Sequence, residues 1–309
     1  MRASRAVQKI LSNYEGETPG VKARLCQILM HGKLGGSGKM IILPVDQGFE
    51  HGPARSFAPN PDAYDPHYHY QLAIDAGLNA YAAPLGPLEA GADTYAGQIP
   101  TILKVNSANS LMSATAGKNQ AVTASVDDAL RLGCSAIGFT IYPGSDMALD
   151  MMEEIVEMRR EAAACGLATV IWSYPRGEAI SKDGETAIDI TSYAAHMAAL
   201  LGAHIIKVKL STDHLELGEA KKVYEGESVD ISTQAARVAD CVKSALNGRR
   251  LIVFSGGAKK GENSVYDDAR AIRDGGGNGS IIGRNTFQRP RKDALDMLGK
   301  LIDIYKGRA

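Results

Sequence analysis

Two lysines lie two residues apart in a short apolar run of the sequence, Ile205-Ile206-Lys207-Val208-Lys209-Leu210. Side chains alternate along a β-strand, so Lys207 and Lys209 point to one face, opposite Ile206 and Val208. On an exposed face, the two lysines would protect a sheet edge from aggregation. On a buried face beside other cations, a lysine has a lowered pKa and can add to a carbonyl carbon to form a Schiff base.

Residues suited to a phosphate follow two later apolar runs. Ser255-Gly256-Gly257 ends one run, and Gly283-Arg284 ends the next. Glycines leave backbone N–H groups unshielded, and a guanidinium adds a fixed positive charge. These residues therefore predict a phosphate site. In the alternative interpretation, the glycines serve only to form tight turns.

Other polar side chains also end apolar runs: Asp46, Lys104, Asn106, Trp172 and Tyr174. Asp46 could instead cap the turn that follows it. Trp172 could instead be a core aromatic residue, although it shares a strand face with Tyr174. His51 follows in a segment that we interpret as a loop, residues 47–53, where it either contacts a ligand or has a structural role.

The elements that would position these residues form a repeating pattern. Eight apolar runs lie at residues 40–46, 79–84, 101–106, 136–141, 168–174, 205–210, 251–257 and 280–284, and helix-length segments that end in glycine separate nearly all of them. Eight such units predict a (β/α)8 TIM barrel, whose strand ends meet in one pocket. A doubly wound sheet is less well supported. Its dinucleotide-binding glycine motif follows a strand, whereas the one candidate cluster here, Gly275–Gly279, precedes its strand. A closed barrel has no edge for the lysines to protect, which favours an inward, functional role.

Length and composition indicate how many domains to expect and in which cellular compartment. The 309 residues, 45% of them hydrophobic, can form a single barrel domain over residues 1–309, with residues 1–39 as an N-terminal helical extension. A net charge of −1 gives no reason to expect nucleic acid or an anionic membrane as partner. Four widely spaced cysteines favour reduced thiols in the cytoplasm. No signal-peptide core or bilayer-length apolar run is present.

A metal site is not expected from the histidines. Only His67 and His69, among seven, have suggestive spacing. They stand at the start of a predicted helix, where residues i and i+2 face apart. We therefore expect neither a metal nor another cofactor.

Five motifs together resemble the archaeal-type class I fructose-bisphosphate aldolases, a family that also occurs in bacteria. The motifs stand in family order and span nearly the whole chain, at residues 43–53, 172–177, 205–209, 255–257 and 283–285. The resemblance implies that Lys207 forms the Schiff base and that Tyr174 is the acid/base. It also implies that Asp46 and Trp172 orient the sugar chain. Spacing alone does not choose Lys207 over Lys209.

The same resemblance implies contacts to substrate from the phosphate-binding segments and from the pocket wall. These candidates are His51, Arg176, Lys209, Ser255, Gly256, Gly257, Gly283 and Arg284. The family is also known for large ring-like homo-oligomers, so an octamer to decamer is expected.

The implied reaction is the reversible cleavage of fructose 1,6-bisphosphate into dihydroxyacetone phosphate and glyceraldehyde 3-phosphate. Lys207 would add to the C2 ketone, and the resulting iminium would accept electrons as the C3–C4 bond breaks. Tyr174 would take the C4 hydroxyl proton, because a nearby cationic lysine can lower the pKa of a phenol. The alternatives are an aldolase or transferase acting on another phosphorylated ketone, and a non-catalytic barrel that binds sugar phosphates.

Overall fold

The computed structural model describes residues 2–112, 118–255 and 261–309. Eight parallel strands close into one barrel, in which β1 pairs with both β2 and β8. The strands are β1 (Met40–Pro44), β2 (Ala80–Ala83), β3 (Thr101–Lys104), β4 (Ala136–Ile141), β5 (Ala168–Ser173), β6 (Ile205–Lys209), β7 (Leu251–Ser255) and β8 (Gly279–Ile281). The predicted (β/α)8 barrel is confirmed.

Helices surround the barrel and connect its strands. In chain order they are α1 (Arg5–Leu11), α2 (Pro19–Met30), α3 (Gln47–His51), α4 (Pro53–Phe57), α5 (Pro66–Ala76), α6 (Leu85–Glu89), α7 (Val126–Arg131), α8 (Ala148–Ala164), α9 (Ile188–Leu200), α10 (Gly218–Gly226), α11 (Gln234–Ser244), α12 (Glu262–Asp274), α13 (Arg284–Phe287) and α14 (Arg291–Tyr305). Within the described ranges, no helix combines the length and the apolar character needed to cross a bilayer.

Local sequence explains where several helices begin and end. Ser125 and Asp128 form a capping box at the start of α7, which satisfies backbone N–H groups that have no helical partner. Gly77 ends α5 with φ 72° and ψ 45°, a left-handed conformation that favours glycine. The sequence did not reveal α10, which buries none of its residues.

The strands separate two apolar layers. Ile206 and Val208 of β6 pack outward, in the layer between the barrel and its helices. Ile205 packs inside the barrel with residues such as Val170 and Val253. Because Lys207 and Lys209 alternate with the outward-facing residues, both lysines face the interior, as the spacing predicted.

Helices α1 and α2 close the barrel at the amino ends of its strands. Their apolar side chains, including Val21 and Leu25, join the layer inside the barrel. The Tyr14 hydroxyl donates to the His204 carbonyl at 2.6 Å and accepts the Leu251 N–H at 3.1 Å. This phenol therefore bridges the starts of β6 and β7.

Strand register places the candidate residues in layers along the barrel axis. Lys207 is paired with Trp172 on one side and with Val253 on the other. Lys209 is paired with Ser255, one layer nearer the carboxyl ends. The strand order also sets β1 and β5 on opposite sides of the barrel.

Candidate active site

A cleft opens at the carboxyl ends of the strands and has a volume of about 610 Å³ with its mouth included. It is lined by nine of the candidate residues: Asp46, His51, Tyr174, Arg176, Lys207, Lys209, Ser255, Gly283 and Arg284. Trp172 lies outside this lining. Gly256 and Gly257 fall outside the described residues. Parallel barrels bring strand ends together at this face, so residues far apart in sequence share one cleft.

Lys207 is almost fully buried, with 3% of its surface exposed. Its pKa is lowered from 10.5 to about 8, chiefly by burial; the charges of Asp46 and Glu50 oppose this fall, and those of Arg284 and Arg176 contribute to it. With that pKa, roughly one Lys207 amine in ten is neutral at pH 7, against about one in 3,000 for an ordinary lysine. Only the neutral amine is a nucleophile, so the site activates this side chain.

Lys209 has a different electrostatic environment. Its ammonium lies 3.0 Å from Glu185, and the two side chains are 20% and 18% exposed. Within the described ranges, no carboxylate comes within 4.0 Å of the Lys207 ammonium. Lys209 is therefore neutralised by a protein carboxylate, whereas Lys207 keeps its amine free of an ion pair.

Trp172 lies beneath the cleft rather than in its wall. Its indole ring is buried, with the ammonium groups of Lys207 and Lys104 at 5.1 and 5.8 Å from its centroid. Gly138 makes room for the ring, since a Cβ there would collide with it. The indole N–H has no hydrogen-bond partner among the described residues.

Lys104 is a second buried lysine near the catalytic candidate. Burial lowers its pKa to about 8. Its ammonium donates to the backbone carbonyl of Asn106 and to the side-chain oxygen of the same residue, the latter at 2.8 Å. Asn106 belongs to a two-stranded ribbon with residues 121–122, beyond the end of β3. Lys104 is thus held away from direct contact with the cleft.

Tyr174 differs from the expectation drawn from the sequence. Its ring lies 5.3 Å from the Lys207 ammonium and 5.4 Å from the Arg176 guanidinium. The expected lowering of the phenol pKa is wrong, because burial raises it, and the charges of Asp46 and Glu50 add to that rise. A hydrogen bond with Ser255 opposes them only in part. Tyr174 is therefore a neutral phenol in the free protein.

The segment after β1 is a helix rather than the expected loop. Asp46 occupies the position before α3, but its side chain makes no capping hydrogen bond, so it remains directed to the cleft. Glu50 follows one helical turn later, on the same face. His51 lies 3.9 Å from Glu50, and burial and nearby arginines lower its pKa. Sequence reasoning left Glu50 without a role, and its four-residue spacing from Asp46 was the missed signal.

The phosphate candidates are adjacent at the ends of β7 and β8. Ser255 closes β7, and Gly283 and Arg284 follow β8. A Cβ at Gly283 would lie 2.6 Å from the Pro44 carbonyl oxygen, so only glycine allows this approach to β1. The cleft presents four basic side chains, Arg176, Lys207, Lys209 and Arg284, against two carboxylates, Asp46 and Glu50. This excess of positive charge suits a phosphorylated ligand.

His67 and His69, the two histidines with suggestive spacing, form hydrogen bonds to backbone carbonyls. The Nε2 atom of His67 lies 2.8 Å from the Ala90 oxygen, and that of His69 lies 2.8 Å from the Ala63 oxygen. Throughout the described segments, no group of three or more histidine, cysteine, aspartate or glutamate side chains is arranged to hold a metal.

Residues 40–289 match the model of the DeoC/LacD family of aldolases. The chain is 37% identical to the probable class 1 fructose-bisphosphate aldolase of Chlamydia muridarum, over 91% of this chain and 83% of the relative. It is 36% identical to the class 1 enzyme of Thermoproteus tenax, over 87% and 90%. The crystallised Schiff-base-forming fructose-1,6-bisphosphate aldolase superposes with a TM-score of 0.74 at 35% identity, covering 87% of this chain and 95% of that one.

These matches span the strands, the cleft and the segments that carry the candidate motifs. An aldolase is a lyase, and the family assignment agrees with a barrel whose cleft holds a buried, activated lysine. The chain belongs to the DeoC/LacD aldolase family and, within it, to the class 1 fructose-bisphosphate aldolases.

Proposed function

We propose that this protein cleaves fructose 1,6-bisphosphate reversibly through a Schiff base on Lys207. The observation that carries the proposal is the state of Lys207, an amine 3% exposed that lines the cleft, has a pKa of about 8 and has no ion-pair partner among the described residues. The alternative nucleophile, Lys209, is paired with Glu185 at 3.0 Å.

The first steps join the substrate to the protein. The neutral Lys207 amine adds to the C2 ketone to form a carbinolamine, and loss of water gives a cationic iminium. Binding of the C1 phosphate by Ser255, Arg284 and the glycines at residues 256, 257 and 283 would fix C2 near the amine. Asp46 and the Trp172 ring would orient the sugar chain, and His51, Arg176 and Lys209 would contact its polar groups.

The iminium draws electrons out of the C3–C4 bond as that bond breaks. The C4 hydroxyl must lose its proton at the same time, and Tyr174 would receive it as a phenolate, after its own proton has passed to solvent water. The phenol pKa, raised in the free protein, would fall once a fixed cation forms beside it. After glyceraldehyde 3-phosphate leaves, the enamine is reprotonated at C3, and hydrolysis releases dihydroxyacetone phosphate.

The nucleophile is tested by borohydride reduction with dihydroxyacetone phosphate. We expect the wild type to gain a stable adduct on Lys207, detectable by mass spectrometry. Lys207→Ala should lose both cleavage and the adduct, whereas Lys209→Ala, the matched control from the same strand, should keep the adduct. An adduct on Lys209 would transfer the nucleophile to that residue, and no adduct at all would favour a barrel that only binds sugar phosphates.

The substrate is tested by a panel of phosphorylated ketoses and ketones. We expect fructose 1,6-bisphosphate to have the highest kcat/KM. A higher value for another phosphorylated ketone would retain the Schiff base and replace the substrate. Activity should also survive EDTA, because the iminium supplies the electron acceptor, and a loss reversed by divalent metal would overturn the mechanism.

We also propose that the protein is a homo-oligomer, an octamer to decamer, in the cytoplasm. Apolar side chains exposed on α8 and α9 support association, with Leu149 73%, Tyr193 54% and Leu200 66% exposed. All four cysteines are free thiols, which suits a reducing compartment. Light scattering of the purified protein gives its mass, and a monomeric mass would overturn the assembly.

A further inference from the structure

Helix α9 differs from the other long helices of the barrel in the residues that it turns outward. Four of its 13 residues are not buried: Tyr193, His196, Met197 and Leu200. Their spacing of i, i+3, i+4 and i+7 puts them on one face. The charged residue of α9, Asp189, is buried and accepts the N–H groups of Glu216 and Leu217. A surface helix normally presents charged side chains to water, so this uncharged face is typical of a contact surface.

The apolar face of α9 continues onto α8, which lies beside it. Arg159 of α8 donates from Nε to the Gly202 carbonyl at 2.9 Å, just beyond the end of α9. Val156 and Met152 stand three and seven residues before Arg159, so they lie on this same side of α8. Leu149 stands one turn before Met152. Together these side chains form the α8–α9 patch, which consists of Leu149, Met152, Val156, Tyr193, Met197 and Leu200.

The α8–α9 patch presents a contiguous apolar surface to water. Leu149 and Leu200 are 73% and 66% exposed, and Tyr193 and Val156 are 54% and 36% exposed. A contiguous apolar patch with polar residues around it marks a contact with another protein or with a membrane. The charges beside the patch therefore decide which partner it suits.

Those charges have opposite signs on the two sides of the patch. On the far side of α8, a stripe of acidic residues is exposed: Asp150, Glu154, Glu157 and Glu161. On the other side, α11 packs against α9 and exposes the Lys243 side chain. The half-buried Asp240 of α11 already accepts the hydroxyl groups of Ser192 and Tyr224, both at 2.6 Å. An anionic membrane would repel the acidic stripe, so the partner is a protein with a basic side and an acidic side.

We propose that the α8–α9 patch binds the same patch of a second copy of this chain, about a two-fold axis that runs parallel to α9. Such an axis exchanges the two sides of the patch, so the acidic stripe of one protomer faces Lys243 of the other. A two-fold axis across α9 would instead bring the two acidic stripes together, and like charges repel. Charge complementarity thus selects both the partner and its orientation.

This inference rests on the proposed homo-oligomer and names the surface that two of its protomers share. Because the axis runs along α9, the two α9 helices lie side by side in the same direction. Each residue of the outward face then lies opposite its own copy, with Tyr193 beside the partner's Tyr193 and Leu200 beside the partner's Leu200. In the opposite orientation, Tyr193 would lie beside the partner's Leu200.

The surface is tested by the mass of the purified protein in light scattering. Leu200→Glu puts a charge into the patch, so we expect the mass to fall to half the wild-type value or less. Val223→Glu is the matched control, because Val223 is 58% exposed on α10, outside the patch, and its mass should equal that of the wild type. An unchanged mass for Leu200→Glu, or a monomeric wild type, would overturn the proposal. The Lys207 adduct, measured in the same samples, tests the proposed chemistry separately.

The orientation is tested by disulfide cross-linking in a Cys165→Ser background, because Cys165 is the exposed native thiol among the described residues. With mild oxidant, Leu200→Cys should give a covalent dimer, and Val223→Cys should not. A covalent dimer that forms only when Tyr193→Cys and Leu200→Cys are combined would reverse the direction of the helices and contradict the proposed axis.

The charge complementarity is tested by reversing its two sides one at a time and then together. Glu157→Lys or Lys243→Glu should raise the dissociation constant of the assembly about 10-fold, since each places like charges opposite each other. The double variant should return to near the wild-type constant, as measured by sedimentation of a dilution series. If the double variant dissociates as readily as either single variant, the two sides do not meet across a two-fold axis, and the proposal is wrong.

Discussion

Two clusters of buried polar groups lie at opposite ends of the barrel, and they differ in how their charges are satisfied. At the amino ends, Glu17 is bonded to Arg159 and lies 3.1 Å from the Nε2 atom of His204. The Nδ1 atom of His204 accepts the Thr169 N–H at 2.8 Å. At the carboxyl ends, Lys207 has no carboxylate within 4.0 Å in the described segments.

The difference shows how a barrel separates structural polar groups from reactive ones. A buried charge that has a partner mainly orients the chain, whereas one without a partner has a displaced pKa and remains available to a ligand. Burial alone therefore does not mark an active site in this protein. Lys207 combines burial, the lack of an ion-pair partner in the described segments and a place in the cleft lining, whereas the equally buried Lys104 bonds to Asn106 outside that lining.

The largest effect is expected from the proton carrier at the carboxyl ends. Tyr174→Phe retains the ring and loses only the hydroxyl, so kcat should fall by about 10²- to 10⁴-fold. The adduct on Lys207 should still form under borohydride. Normal turnover of this variant would require the C4 proton to be taken by another cleft residue, with Asp46, His51 and Glu50 as the candidates.

A smaller effect is expected from the phosphate side of the cleft. Arg284→Ala should raise the KM for the bisphosphate by about 10- to 100-fold, since a charge-assisted contact contributes roughly 1.5–3 kcal/mol. Trapping at saturating ligand should persist. The measurement is steady-state kinetics with the variant, and an unchanged KM would place the phosphate elsewhere.

The lack of an ion-pair partner for Lys207 should have a cost in stability. Its pKa is about 8 in the folded protein and 10.5 as the reference, so protonation at neutral pH opposes folding. Lys207→Met should raise the free energy of unfolding at pH 7 by up to about 3 kcal/mol. Wild-type stability rises as pH goes from about 8 to 10.5, so the gain should vanish by the upper end. Denaturant unfolding at several pH values checks this, and a destabilised variant at pH 7 would contradict it.

At the amino ends of the strands, removing a charge should lower the free energy of unfolding instead of raising it. Glu17→Gln should lower the free energy of unfolding by about 1–2 kcal/mol, because it weakens the bonds to Arg159 and His204. The His204 hydrogen bond lowers the pKa of Glu17, so this stabilisation is present above the unfolded pKa and disappears as pH falls through the folded one. The deficit should therefore shrink in acid, and catalytic activity should stay at the wild-type level. One cooperative transition would also support a single domain that includes residues 1–39.

The sequence was sufficient to predict the barrel, because the strands are continuous apolar runs and nearly all of the segments between them are helical and end in glycine. It was also sufficient for the inward direction of Lys207 and Lys209, which follows from the period of a strand. It failed at α3, where Gly48 lies against Phe57 and tertiary packing makes a five-residue helix that local propensity does not favour.

Two features of the site depend on distances that no sequence pattern encodes. Glu185 stands 24 residues from Lys209, and only the folded chain brings them into an ion pair. The phenol of Tyr174 has a raised pKa because of its depth in the cleft, whereas sequence reasoning considered only its neighbouring cation. Roles for Asp46, Trp172 and the phosphate-binding residues stay predictions until variants are measured.

The pairing of β1 with β8 has a consequence for the way the protein is made. Met40 pairs with Gly279 and Ile42 with Ile281. The first strand to leave the ribosome therefore cannot complete this pairing until the last strand has been synthesised. At roughly 5–20 residues per second, that wait is on the order of tens of seconds. During it, the buried strand Met40–Pro44 has one side without a partner, and unpaired strands of this kind invite aggregation. Newly synthesised chains therefore have a long interval in which a chaperone can protect them.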